Sequence, residues 1–576
     1  MRRIRYIAGA SLGAVALVAT SLAAAASPVA PARPTATDRT AQPQGSGEYV
    51  VSYQGDAADV TAAVGAAGGR VVDVNEQLGL ALVTSSNQDF IADAQATAAV
   101  TGAARNHSVG ATRPGQPHRF VEERPTDADR AAAARPGAAR PKSGKAAGRA
   151  EPLANLQWGM TMIGATADGA HRDNTGRGVT VGIIDTGVDG SHPDIAPNFD
   201  ARRSRNFTMD IPSVDGPCEV ATCIDPANVD ENGHGTHVAG IVGAARNRLG
   251  TAGVAPNATL LNLRAGQDSG FFFVYETVAA LTYAGDAGLD VVNMSFFTDP
   301  WLYNCASAND YISGAVTPAQ IEEQAFIRRV VVAATEYAHD HGVTLVGAAG
   351  NEHTNLALPV RNDLISPDFP PGSEQPRTVT NNCLDLPSEG PHVIQVSSVG
   401  PSTTKSDFSN YGNPNLEVAA PGGWFRDFVG TPQFQTPGNL VLSSYPFGVA
   451  LAEEVVDTNC QAIDDFTITQ VDRQGRCAVY VYLQGTSMAS PHAAGVAALI
   501  VGEHGRGGRN KSLDPDTVGE ILGASASDHA CPAGGVEIYT DEGRPAEFNA
   551  VCDGNAAYNG LYGEGIVNAA AAVARR

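Results

Sequence analysis

After residue 151, five short runs of β-branched and apolar residues recur without alternation: Val179-Thr180-Val181-Gly182-Ile183-Ile184, Thr259 to Leu263, Asp290 to Met294, Thr344 to Ala348 and Val393 to Val399. A strand with one wet face alternates polar and apolar residues, whereas a strand covered on both faces does not. Helical stretches separate the runs, so residues 151–576 are predicted to form a doubly wound α/β domain, a parallel sheet covered by helices. Three stretches rich in Pro, Asn and Cys, at about 300–320, 352–390 and 424–480, are read as surface loops.

Upstream the pattern differs. Tyr49 to Tyr53 reads as a strand, Ala57 to Ala67 as a helix closed by Gly68-Gly69, Arg70 to Val74 and Leu78 to Thr84 as strands, and Gln88 to Val100 as a helix. This β-α-β-β-α order, with a last strand to follow, predicts a small α+β, ferredoxin-like domain over 47–110. Residues 111–150 carry Arg, Ala, Pro and Lys without apolar periodicity and read as a basic linker. Residues 1–26 combine Arg2, Arg3 and Arg5 with an apolar run ending at Ala24-Ala25-Ala26. That is the composition of a cleaved signal peptide, and 27–46 then form a short linker.

The charge is divided in the same way. The net formal charge is −23, but residues 1–150 carry +4 and the remainder −27. An acidic main domain argues against nucleic acid as a partner, and no later run of about 18 apolar residues offers a membrane span. A secreted, extracellular monomer is the expectation. The 8 cysteines all follow residue 217. An even number in an exported chain reads as disulfides, and although 105 pairings exist, neighbour pairing (218 with 223, 305 with 383, 460 with 477, 531 with 552) is the expectation. A zinc site built from Cys218, Cys223, His234 and His237 fits no usual spacing.

Three motifs carry chemistry. Ile184-Asp185-Thr186-Gly187 closes a strand, Asn232-Gly233-His234-Gly235-Thr236-His237 opens a helix, and Gly485-Thr486-Ser487-Met488-Ala489 opens another. Alone, each has a bland explanation, as a turn after a strand or a helix cap. Together they supply a carboxylate, an imidazole and a hydroxyl, the parts of an orienting group, a general base and a nucleophile. His192, His237 and His492 read as structural neighbours.

With these motifs in this order, the chain resembles the subtilisin-like serine peptidases, from about Leu156 to Asn568. Gly347-Ala348-Ala349-Gly350-Asn351, Ser406 to Gly412 and Tyr562 to Asn568 add to the likeness. The resemblance implies acyl transfer through Asp185, His234 and Ser487, with Asn351 and the Ser487 N–H as oxyanion hole. It implies a peptide-binding surface of Ser295, Phe296 and Phe297 on one side and Ala348, Ala349 and Gly350 on the other. Phe296 and Phe297 stand where the family has glycines, so both rings are candidates for core filling as well as for the pocket. It implies that 47–110 is a propeptide acting as intramolecular inhibitor, that substrates are proteins or peptides, and that no cofactor serves catalysis. A structural calcium ion at Asp194 and Asn247 is a further implication, although Arg246 and Arg248 flank Asn247. The rival readings are an inactive binding protein on the same fold and a zinc hydrolase.

Overall fold

The computed structural model describes residues 47–107, 151–412, 414, 416–507 and 512–574. The proposed signal segment, the 27–46 linker and the whole 111–150 linker lie outside the described residues.

The N-terminal domain runs β1 (Gly47–Tyr53), α1 (Ala57–Ala66), β2 (Gly69–Asn75), β3 (Leu80–Ser85), α2 (Phe90–Gln95) and β4 (Val100–His107). Its strands form an antiparallel sheet in the order β2-β3-β1-β4. α1 starts where Asp56 accepts from the N–H groups of Ala58 and Asp59 while Asp59 returns a bond to the Asp56 N–H, so first-turn donors that lack helical partners are satisfied. The second helix is shorter than the predicted Gln88–Val100. It ends at Gln95, because from Val100 onward the chain pairs with β1 instead.

Alternate residues of this small sheet serve two cores. Tyr49, Val51, Ala81 and Val83 pack under α1 and α2. Val50, Leu80, Leu82 and Ala104 face the other way, against helices of the main domain.

The main domain holds β5 (Thr180–Ile184), β6 (Arg205–Asn206), α3 (His234–Gly243), β7 (Thr259–Arg264), α4 (Val274–Asp286) and β8 (Val291–Met294). It continues through β9 (Tyr311–Ser313), α5 (Pro318–Asp340), β10 (Thr344–Ala348), β11 (Val360–Asp363), β12 (Arg377–Thr380), β13 (Val393–Val399) and β14 (Val418–Pro421). After β15 (Val441–Tyr445), β16 (Thr467–Val471) and β17 (Cys477–Leu483) come α6 (Thr486–His504) and α7 (Pro515–Ser525). Seven strands form one parallel sheet, ordered β14-β13-β10-β8-β5-β7-β6.

Burial on both faces explains the unalternating runs. Val181, Val291 and Val346 enter the core shared with α3 and α6, whereas Ile184, Val292 and Leu345 enter the core shared with α4 and α5. The chain leaves β5 toward β7 and β6, then returns to build β8, β10, β13 and β14 on the other side. Crevices at such a reversal, beyond the carboxyl ends of the strands, are where doubly wound sheets bind ligands.

The stretches read as loops contain structure of their own. β9, β12 and β11 form a small sheet, and β15, β17 and β16 another. Disulfides join Cys218 to Cys223, Cys305 to Cys383, Cys460 to Cys477 and Cys531 to Cys552, the neighbour pairing expected from the sequence. Among the described residues no helix is long and apolar enough to cross a membrane.

Candidate active site

Asp185, Ser295 and Asn351 all follow the carboxyl ends of neighbouring central strands, β5, β8 and β10. His234 is the first residue of α3, and its Nδ1 lies 2.7 Å from Asp185 Oδ1, with both side chains buried. Burial pushes the Asp185 carboxyl up, and the adjacent His234 and the Thr186 N–H oppose that shift. Gly235 makes the approach feasible: a Cβ there would fall 2.0 Å from the Gly187 carbonyl oxygen and 3.0 Å from Asp185 Cβ.

A second carboxylate, without a motif in the sequence, organises this corner. Asp230 accepts from the N–H groups of Asn232, Gly233 and Thr236 and from the Thr186 hydroxyl. It thereby fixes the start of α3 against the end of β5. Beneath it, fully buried Arg264 pairs with Asp225 at 2.8 Å and Asp268 at 2.6 Å, and the Asp268 carbonyl accepts from Asn232 Nδ2.

Ser487 lies in the first turn of α6, 4% exposed, and its hydroxyl donates to the Ser295 carbonyl at 3.3 Å. The Ser295 hydroxyl in turn donates to the Ser487 carbonyl at 3.1 Å. Asn351 is oriented by Thr486, whose N–H and hydroxyl both donate to Asn351 Oδ1 at 2.9 Å. With its oxygen held, the Nδ2 group points away and donates to no described group. Thr486 also accepts from the Gly350 N–H, tying the Ala348-Ala349-Gly350 segment to the start of α6.

Phe296 is 7% exposed and stacks on Phe272 with ring centroids 4.0 Å apart, as part of the core under α4. Phe297 is half-buried and packs toward Leu302, Tyr303 and the 305–383 disulfide. His192, His237 and His492 each bond a backbone carbonyl, of Val479, Val481 and Met488. Burial pushes His192 and His492 down to about 4.

Calcium at Asp194 and Asn247 does not fit the donors present. Asn247 turns Nδ2 toward Asp194 Oδ1, while its own Oδ1 accepts from the Leu249 N–H. Asp194 Oδ2 accepts from the Tyr480 hydroxyl at 2.7 Å and from the Thr251 N–H. A calcium ion needs oxygen lone pairs converging on one point, and here N–H and O–H hydrogens converge instead. Burial pushes the Asp194 carboxyl up to about 7, against the Tyr480 hydrogen bond.

The family model described as the subtilase family of peptidases matches residues 176–560. The chain belongs to the subtilase family. It is a serine endopeptidase, a hydrolase acting on protein or peptide substrates. Subtilisin DY of Bacillus licheniformis is 28% identical over 329 residues, covering 57% of this chain and 78% of that protein. Thermitase of Thermoactinomyces vulgaris is 26% identical over 377 residues, covering 65% and 89%. The epidermin leader peptide processing serine protease of Staphylococcus aureus superposes with a TM-score of 0.56 at 20% identity, covering 92% of this chain and 98% of that one. That last likeness establishes the fold.

Proposed function

We propose that this subtilase is a secreted endopeptidase that works through Asp185, His234 and Ser487 and is made as a self-processing zymogen. The observation that carries the catalytic assignment is the buried 2.7 Å contact between Asp185 Oδ1 and His234 Nδ1. A proton held on Nδ1 by a carboxylate leaves Nε2 with its lone pair, the tautomer a base requires. Ser487 Oγ attacks the scissile carbonyl. His234 takes its proton and passes it to the leaving amine, and water then hydrolyses the acyl-enzyme by the same route. Asn351 Nδ2 and the Ser487 N–H receive the oxyanion, the latter available because first-turn amides lack helical partners. An extended substrate lies between the backbone of Ser295-Phe296-Phe297 and that of Ala348-Ala349-Gly350. With the Phe296 ring in the core, specificity on that side rests on the surrounding loops.

The zymogen reading rests on how the N-terminal domain sits. Its apolar face covers α4 and α5, Asn106 Oδ1 accepts from the Tyr275 N–H at the start of α4, and Asn106 Nδ2 reaches both Glu48 and Glu276. Asn75 adds a bond to Thr282, and Gln77 one to Asp286. Four disulfides suit an oxidising, extracellular setting. The experiment is to express Ser487→Ala in a host lacking other extracellular proteases and weigh the product. A precursor that retains residues 47–107 is expected. Full maturation of this variant would rule out self-cleavage.

A further inference from the structure

At the opposite end of the sheet, three ligand-type side chains from separate parts of the chain meet. His339 is in the last turn of α5, His392 immediately precedes β13, and Asp516 is in the first turn of α7. One ligand atom of each lies within 4.8 Å of the other two. They line a groove of ≈ 750 Å³ that also includes Ser388, Glu417 and Glu520. This is the amino end of β10 and β13, so the groove is separate from the candidate active site beyond their carboxyl ends.

We infer that His339, His392 and Asp516 form a binding site for a divalent transition-metal ion of the zinc type. His339 Nε2 and Asp516 Oδ1 are 3.1 Å apart. Two ligands about 2.0–2.1 Å from one tetrahedral ion are separated by about 3.3 Å, so this pair already has the spacing of co-ligands. The His392 ring stacks on His339, with centroids 3.7 Å apart and planes 13° from parallel, so their lone pairs do not yet converge. Binding an ion requires the His392 ring to unstack and turn about its side-chain bonds until its nitrogen faces the His339–Asp516 pair, which its exposed position allows.

A plain surface ion pair accounts for His339 and Asp516 but not for His392. His392 is exposed, makes no hydrogen bond to any described group, and is held at φ 64°, in the left-handed region that non-glycine residues rarely occupy. A strained backbone that presents an unpartnered imidazole against another imidazole is the kind of local cost found at ligand sites. Asp516 is 71% exposed in its side chain, which leaves the ion open to solvent. Glu520, one helical turn beyond Asp516, lines the same groove, and water would fill the remaining position. Two imidazoles favour zinc and its first-row neighbours over the oxygen-seeking calcium and magnesium. The bound ion would tie α5, β13 and α7 together, so its effect is on stability. It does not depend on the catalytic assignment.

The test uses the full chain carrying Ser487→Ala, to prevent autolysis, stripped with chelator and titrated with Zn2+ by calorimetry and with Co2+ by visible absorption. One equivalent with a tetrahedral Co2+ spectrum is expected, together with a rise in Tm on adding Zn2+. His392→Asn, which tolerates the left-handed backbone, and the exposed Asp516→Asn should each weaken binding at least ~10-fold and abolish the Tm rise. Absence of saturable binding, or equal binding by both variants, overturns the site.

Discussion

The crevice beyond β5, β8 and β10 and the insertion between Cys305 and Glu389 both bury polar groups, and they treat them differently. In the insertion, Arg361 is 1% exposed; its two terminal nitrogens bond the Glu389 carboxylate and the carbonyls of Leu356 and Cys383. Arg377 is 4% exposed and is likewise held by Asp363, Gln324, Tyr311 and the Tyr303 carbonyl. In the crevice, Asp185 Oδ2 accepts from no described group, and Asn351 is held through its oxygen by Thr486. Both regions leave some buried polar atoms without a described partner, Arg361 Nε and Asp385 Oδ1 in the insertion and Asp185 Oδ2 in the crevice, but the proposed mechanism places only the crevice groups around a reacting substrate. Variants in the first region should therefore cost stability, and variants in the second should cost rate.

The largest effect expected is in the crevice. Ser487→Ala should lower peptide hydrolysis by about 10⁶-fold. Its Tm should stay close to wild type, because removing one oxygen leaves almost no cavity. A large drop in Tm would break the comparison from one side. Arg361→Met tests the other side. Removing one partner of a buried pair takes the counter-charge from Glu389, which keeps the Asp385 N–H, at a cost of about 3–5 kcal/mol in denaturant unfolding. The activity of each folded molecule, counted by active-site titration, should be unchanged. Asn351→Ala should lower kcat by about 10²–10³-fold, near 3–4 kcal/mol of transition-state stabilisation, with little change in unfolding.

A smaller effect sharpens the contrast through pH. The folded chain holds a proton on Asp194 up to about 7, whereas the ordinary value is 3.8. Asp194 therefore contributes stability that is complete below the ordinary carboxylate value and is lost as pH rises through about 7. Asp194→Asn cannot titrate, so its Tm should change less between pH 4 and pH 7 than that of the parent, both measured on the Ser487→Ala background. An unaltered slope would mean that other buried carboxylates dominate.

Legibility in the sequence follows the same division. The five parallel strands are readable because both faces are buried: Leu345 and Val346 point to opposite cores and both must be apolar. The insertion sheets are not readable. β11 and β12 are 4 residues each, pair across a long connection and sit in a Pro- and Asn-rich context that signals loop. Within the site, Asp185, His234, Ser487 and Asn351 stand in contiguous motifs. Asp230 and Thr486 are not legible as contributors, because they act on backbone amides or on another side chain, which leaves no residue-type signature. The surroundings of Asp194 are not legible either, because Tyr480, far along the chain, supplies the hydroxyl bonded to it. His339, His392 and Asp516 span 177 residues with no motif spacing, so only the fold brings them together.

The central claim is that Ser487 is a nucleophile activated by His234. The most direct measurement is covalent labelling with a fluorophosphonate, located by peptide mass spectrometry, in wild type and in His234→Ala, each freed of residues 47–107 by an added protease, with and without chelator. The account predicts a single adduct on Ser487 in wild type, unaffected by chelator and slowed by orders of magnitude in His234→Ala. Hydrolysis that persists with Ser487 unlabelled, or that chelator abolishes, would contradict it.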